Sequence, residues 1–336
     1  MELRATTASL TLAEPFGIAR GSRTTQTVVQ VELEHEGIVG RGEAAPVYYR
    51  GDSVESTTDF LTTTAPPLVG DDPFALEVLE ARLADIEGQT AGKAALDAAL
   101  HDWIGNRLGV PLWRLLGLSP EAPPTSYTIG IDSIDGTRDR VQRASEFRWL
   151  KIKVGGAEDL ARLEAVRDES EVPLRVDANE GWTLESAREL MPELIRLGVE
   201  FVEQPFPAAD LDSFLALREL HPRLPVVVYE GCQDLRDVAP AAAYADGINV
   251  KLAKSGGVRE ALRMIHAARA LGLRVMLGCM VESQLGVAPA AAIASLVDWA
   301  DLDGHLLLAD QPFTGLRFLH GHVLPGMEPG LGVAPA

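Results

Sequence analysis

Trp149-Leu150-Lys151-Ile152-Lys153-Val154, Leu174-Arg175-Val176-Asp177 and Glu200-Phe201-Val202-Glu203 are three short β-rich runs separated by stretches of helical period, such as Leu184 to Leu197. Their spacing predicts strands that alternate with helices at a repeat of about 25 residues, the signature of a parallel sheet. Working outward, Tyr127 to Ile131 precedes them, and Val226 to Glu230, Ile248 to Leu252, Arg274 to Gly278 and Trp299 to Asp303 follow. A helical segment from Val258 to Leu271 is closed by Gly272, a residue suited to the left-handed turn after a helix. Eight strands of this kind close into a (β/α)8-type, modified TIM barrel. An open doubly wound sheet is the competing arrangement, and it lacks a GxGxxG fingerprint after its first strand.

Residues 1 to about 60 read differently. Thr27-Val28-Val29-Gln30-Val31-Glu32-Leu33 alternates, with Gly37, Gly40 and Gly42 as turn punctuation, which predicts an antiparallel sheet. Ala94 to Trp103 has helical period, and Pro123-Pro124 marks a boundary. The expected organisation is therefore an α+β capping domain over 1–120, the barrel over 121–310, and a proline-rich tail over 311–336 that returns to complete the cap. A net charge of −19 over 336 residues repels phosphate backbones and anionic lipid, which argues against nucleic acid and membrane partners. No apolar run approaches the roughly 18 residues of a membrane span. Cys232 and Cys279 are the only cysteines, outside any CxxC spacing, so neither a disulfide framework nor a thiolate zinc site is indicated. The opening Met1 to Thr6 lacks a signal-peptide stretch, and a cytoplasmic location is expected.

In such barrels chemistry gathers at the C-terminal ends of the strands, where residues two apart share a face. Lys151 and Lys153, Asp177, Glu203, Glu230, Lys251, and Asp301 with Asp303 all fall at those ends. From Lys153 the steps to Asp177, Glu203, Glu230 and Lys251 are 24, 26, 27 and 21 residues, one charged group per strand–helix unit. Strand ends carry charge simply because loops begin there, yet the lysines are selective. Only five occur, against 25 arginines, and four of the five fall in two clusters at strand ends. Burial and a neighbouring ammonium both depress a lysine pKa, which makes a general base. Converging carboxylates without His or Cys select Mg²⁺ or a similar hard cation. A cation between opposed lysines suits removal of a proton α to a carboxylate.

Lys151-Ile152-Lys153, Asp177-Ala178-Asn179, Glu203-Gln204-Pro205, and Lys251 followed by Ser255-Gly256-Gly257 resemble the enolase superfamily, muconate-lactonising subgroup. Pro15 to Gly21 is similar to that family's substrate-closing loop, expected near 16–24. Asp301-Leu302-Asp303 is similar to the aspartate pair with which dipeptide epimerases of the L-Ala-D/L-Glu type hold a free α-ammonium. The resemblance implies a Mg²⁺-dependent epimerase acting on a dipeptide. Lys153 and Lys251 are the implied bases, Lys151 a pKa-lowering partner that contacts the substrate carboxylate, and Asp177 and Glu203 metal ligands. It also implies substrate contacts from Thr128, Cys279 and Met280. Arg20 or Arg23 would meet a carboxylate of the second residue and favour an acidic dipeptide.

One position departs from the pattern. The family's third metal ligand is an aspartate followed by glutamate, and here Tyr229-Glu230 stands in that place. A one-residue displacement points a side chain to the opposite face. Three outcomes stay open: Glu230 reaches the ion, Asp234 or water fills the position, or metal binding is impaired. The competing functions are a cycloisomerase, an N-acylamino acid racemase or a succinylbenzoate-synthase-like enzyme on the same scaffold, and a lapsed homologue that only binds a small molecule. Lys254 reads as a loop charge, Trp182 and Trp299 as packing residues, and His320-Gly321-His322 as surface histidines. The sequence leaves a homo-oligomer open.

Overall fold

The structure is a computed structural model, and it describes residues 1–19, 21–48 and 51–336. Three antiparallel strands open the chain: β1 (Glu2–Ile18), β2 (Gly21–His35) and β3 (Ile38–Ala44). The helix Thr90–Leu108 lies against them and buries Ala95, Leu96, Ala99 and Trp103 over Val29, Val31 and Leu33. Gly42 admits that approach, since a Cβ there would sit 2.0 Å from the Ala95 carbonyl oxygen.

The segment expected as a substrate-closing loop, near 16–24, includes Arg20, which lies outside the described residues. On either side of it β1 and β2 pair Phe16 with Arg23, Gly17 with Ser22 and Ile18 with Gly21. The threonine-rich run Thr24-Thr25-Gln26-Thr27 favours extended backbone. The register shifts between Thr11 and Phe16, and Phe16, Ile18 and Arg23 line the main cavity.

Eight parallel strands follow: β4 (Ser126–Ile129), β5 (Trp149–Lys153), β6 (Leu174–Asp177), β7 (Val199–Glu203), β8 (Val226–Val228), β9 (Gly247–Lys251), β10 (Arg274–Gly278) and β11 (Trp299–Asp301). They pair in sequence order, and a bridge between Thr125 and Ala300 joins the first strand to the last. Leu302 N donates to Thr125 Oγ1 at 2.8 Å and Thr128 N to Asp303 Oδ2 at 2.7 Å across the same seam. The fold is thus the barrel and capping sheet that the alternation of elements implies.

Strand alternation sorts the barrel's two faces. Ile152, Val176, Val202, Val226, Val228, Ile248, Val250 and Leu302 pack outward on the helices, while Phe201, Val227, Met276 and Trp299 fill the lumen. Beneath the site the guanidinium of Arg175 bonds Glu200 Oε2, Ser126 Oγ and the Ala300 carbonyl, at 2.8–3.0 Å. The cap is fastened to the barrel by Glu43, whose carboxylate accepts from Ser283 N at 2.7 Å and Ser283 Oγ at 2.6 Å. Asp97 Oδ2 accepts from Val258 N at 2.7 Å. At the chain's end Leu331 N donates to Asp102 Oδ1 on the cap helix at 2.7 Å. No helix among the described residues is long and apolar enough to cross a membrane.

Candidate active site

Two residues apart on β5, Lys151 and Lys153 share the lumen face while Ile152 packs outward. The same period puts Asp177 above Arg175 on β6, Glu203 above Phe201 on β7, and Lys251 above Asn249 on β9. Cross-strand pairing aligns Lys153 with Asp177 and Asp177 with Glu203. These groups meet at the mouth of the barrel under the cap. A cavity of about 350 Å³ opens there, lined by Lys151, Lys153, Lys251, Thr128, Asp301 and Asp303. Cys279, Met280 and Arg23 also line it, so most of the residues singled out in the sequence converge on one space. Arg20 lies outside the described residues.

The amines are buried among acids. Lys153 Nζ donates to Asp177 Oδ2 at 2.5 Å. Lys151 Nζ is in contact with Asp301 and stands 3.5 Å from Glu203 Oε2 and 3.9 Å from Asp177 Oδ2. Burial opposes the charge on Lys151, but Asp301, Glu203 and Asp177 outweigh it and raise its pKa well above the ordinary lysine value. Lys153 goes the other way: burial, helped by the ammonium groups of Lys151 and Lys251, lowers its pKa despite Asp177. Two lysines on one strand thus divide into a fixed cation and an amine predisposed to take a proton.

The carboxylates diverge as well. Burial works against ionisation of Asp177, yet Lys153, Lys151 and Lys251 hold its carboxyl at about 2. Burial and then Asp177 raise Glu203. Burial and Asp301 push Asp303 up to about 6, against Lys151 and the hydrogen bond from Thr128. Glu203 Oε1 accepts from Asn249 Nδ2 at 2.6 Å, whereas its Oε2 accepts no hydrogen bond. A buried carboxylate oxygen left so is suited to a cation. Mg²⁺ is commonly held by one or two carboxylates with water and substrate oxygens, and Asp177 with Glu203 fits that need.

The expected third carboxylate does not join Asp177 and Glu203. Among the described residues no three His, Cys, Asp or Glu side chains gather as a metal site. Glu230 continues the phase of Val226 and Val228 and does not line the cavity, although its charge bears on Lys254, while Tyr229 continues the phase of Val227 and lines the cavity. Asp234 caps the helix Leu235–Ala241 and pairs with Arg236 at 2.6 Å, away from the lumen.

Lys254 also corrects the sequence reading. It is 4% exposed, lies on the one-turn helix Leu252–Ser255, and lines the cavity with its Nζ 3.7 Å from the centroid of the Tyr229 ring. Burial and Lys251 depress it well below the ordinary lysine value. The scarcity of lysine in this chain was the signal, together with a spacing of three that returns a side chain to the same helical face. Asn249 and Asn179 were also missed. Asn249 lies two residues before Lys251 on the same strand face, and Asn179 Nδ2 donates to the Tyr229 hydroxyl at 2.5 Å.

A parallel barrel whose lumen gathers two lysine clusters over paired carboxylates, beneath an antiparallel cap, defines the enolase-type architecture. Residues 1–117 match the mandelate racemase / muconate lactonizing enzyme N-terminal domain, and residues 136–336 match the enolase C-terminal domain-like family. The chain belongs to this family, within the enolase superfamily. It is 40% identical over 328 residues to the L-Ala-D/L-Glu epimerase of Bacteroides thetaiotaomicron, covering 96% of this chain and 85% of that one. Its fold matches the substrate-liganded L-Ala-D/L-Glu epimerase of Bacillus subtilis with a TM-score of 0.94 and 29% identity, over 100% and 98% of the two chains. It matches the dipeptide epimerase of Enterococcus faecalis, complexed with Mg and L-Leu-L-Tyr, with a TM-score of 0.93 and 30% identity, over 99% of each chain.

Proposed function

We propose that the chain is an isomerase, a Mg²⁺-dependent dipeptide epimerase that inverts the α-carbon of the C-terminal residue by a two-lysine mechanism. The observation that carries this reading is the placement of Lys153 and Lys251 on β5 and β9, four strands apart in a ring of eight, both lining one cavity. Opposed amines can serve opposite faces of one carbon. The three relatives described above are named as epimerases acting on L-Ala-D/L-Glu or on dipeptides, which supports the substrate class.

In this reading Lys153, with its depressed pKa, takes the α-proton as the C–H bond breaks and its electron pair passes into the carboxylate, giving an enediolate. Lys251 delivers a proton to the other face and restores the carboxylate. For the opposite epimer the two exchange roles, so no net proton is consumed. Lys151 stays cationic and holds the substrate carboxylate. Asp177 and Glu203 would hold the divalent cation, whose charge stabilises the developing dianion. Asp301 and Asp303 receive the α-ammonium, which a muconate or an N-acylated amino acid lacks. Arg23, at the cavity mouth and bonded to Gln26, favours an acidic second residue. Residues 1–120 act as the lid, 121–310 carry the chemistry, and 311–336 tie back to the lid.

The test is incubation in D₂O with Mg²⁺ and a dipeptide library, followed by mass spectrometry. Deuterium is expected at the α-carbon of the C-terminal residue, and Lys153→Ala and Lys251→Ala should each lower epimerisation by at least about a hundredfold. Exchange confined to N-acyl amino acids would overturn the substrate class. Undiminished turnover in either variant would overturn the two-base assignment.

A further inference from the structure

At the C-terminal ends of three consecutive strands stand Asp177, Glu203 and Tyr229, the last one residue beyond β8. Glu203 pairs in register with Val227, so Tyr229, two residues further on the same face, stands beside the carboxylate pair. Its hydroxyl is held by Asn179 Nδ2 at 2.5 Å, and its ring is flanked by Lys254 at 3.7 Å and Lys251 at 4.8 Å. With its hydroxyl hydrogen-bonded to Asn179 and two lysine side chains packed on its ring, Tyr229 is fixed in this place.

The local charge then has a consequence for the cation. Asp177 and Glu203 supply two negative charges, whereas Lys151, Lys153 and Lys251 act on Asp177 from within the same lumen. A divalent ion arriving alone must displace Lys153 from Asp177, with Lys151 close by, and meets Tyr229 rather than a third carboxylate next to Asp177 and Glu203. A substrate carboxylate would contribute the missing charge and oxygen ligands.

We infer that Tyr229 makes cation binding conditional on substrate: Mg²⁺ held by Asp177 and Glu203 binds weakly alone and is completed by the dipeptide's carboxylate. This rests on the dipeptide reading above. Because coupling between two ligands is reciprocal, Mg²⁺ tightens the dipeptide by the factor by which the dipeptide tightens Mg²⁺. Tyr229 is thus a specificity element of the metal site that couples loading of cation and substrate.

The experiment is isothermal titration of the full chain with Mg²⁺, in the absence and presence of saturating L-Ala-L-Glu, repeated with Mn²⁺ by electron paramagnetic resonance. The dipeptide is expected to tighten the cation by at least about tenfold. Tyr229→Asp, with its fold checked by circular dichroism, is expected to bind Mg²⁺ alone at least about tenfold more tightly than wild type, because added ligand charge raises affinity. Its dipeptide dependence should shrink. Equal Mg²⁺ affinity with and without dipeptide in the wild type overturns the inference, as does a folded Tyr229→Asp with unchanged affinity. If that variant does not fold, the wild-type titrations decide alone. Uncoupled Mg²⁺ binding alongside α-proton exchange would leave the epimerase reading standing, and coupling without exchange would do the reverse.

Discussion

Lys153 donates to Asp177 across 2.5 Å while Lys151, two residues earlier on the same strand, is engaged by Asp301. The acids are therefore apportioned: Lys151 takes most of the negative field and keeps its charge, and its charge in turn makes that of Lys153 harder to hold.

The pH dependence of catalysis follows from this division. In the proposed two-lysine mechanism the amine form of Lys153 is the base, so kcat/KM for the epimer it serves should rise with pH along a limb set below the ordinary lysine value of 10.5. Lys151→Met removes a cation that disfavours protonation of Lys153. The limb should move to higher pH, with turnover at pH 7 reduced by at least about tenfold. A pH–rate profile of the variant with an unmoved limb would remove Lys151 from this role.

Substrate binding should respond to a different group. Asp303 is held at about 6, so it is ionised at pH 8 and progressively neutral below pH 6. An α-ammonium needs the ionised form. KM for a dipeptide is therefore expected to be flat above pH 7 and to climb towards about tenfold per pH unit well below 6. Asp303→Asn should raise KM at pH 8 by at least about tenfold and remove that dependence. A variant that retains the dependence would place the titration elsewhere, and steady-state kinetics from pH 5 to 8 decide it.

Much of this site was legible because strand periodicity is short and strict. Lys151 and Lys153 had to share a face, and the outward phase of Glu230 relative to Val227 was implicit in Val226-Val227-Val228-Tyr229-Glu230. Lys254 was misread since a charge beyond a strand looks solvated. Only the one-turn helix Leu252–Ser255 returns it to the cavity. Asp159 left no local signal. Its carboxylate accepts from Gly155 N and Gly156 N, just past Lys153, and from Trp182 Nε1 at 2.9 Å. That convergence depends on chain segments 23 residues apart.

The seam between cap and barrel carries a cost that stability measurements should expose. Burial, together with Glu43, raises Glu282 to about 7 from an ordinary 4.5. A carboxyl raised in the folded state binds protons more tightly there than when unfolded, so stability falls as pH rises from 4.5 through 7. The cost is complete above 7 and absent below 4.5, at up to roughly 3 kcal/mol. Glu282→Gln retains an acceptor for the Met280 N–H, which Glu282 Oε2 engages at 3.2 Å, and removes the charge. It should raise the urea midpoint at pH 8 and lose its advantage below pH 4.5. An equal midpoint for both proteins at pH 8 would show that the charge on Glu282 is accommodated without penalty.

The approach of Lys251 to the lumen depends on a residue with no side chain. Gly278 ends β10, opposite Lys251 in register. A Cβ at that position would lie 2.7 Å from Asn249 Oδ1 and 2.9 Å from Lys251 Cε, closer than such atoms approach. Asn249 is held to Glu203 at 2.6 Å and has little room to yield, so the flexible lysine must shift. Gly278→Ala is therefore expected to leave the fold intact, at a stability cost of about 1–3 kcal/mol for one added methyl in a packed interior. Its effect on catalysis should be larger, because a base misplaced by about 1 Å loses on the order of a hundredfold in rate. The loss should fall on proton transfer at the face served by Lys251. Deuterium exchange into the epimer that Lys153 deprotonates should persist while inversion is lost. Equal loss of exchange from both epimers would mean that the added methyl disrupts the whole site rather than the position of one amine.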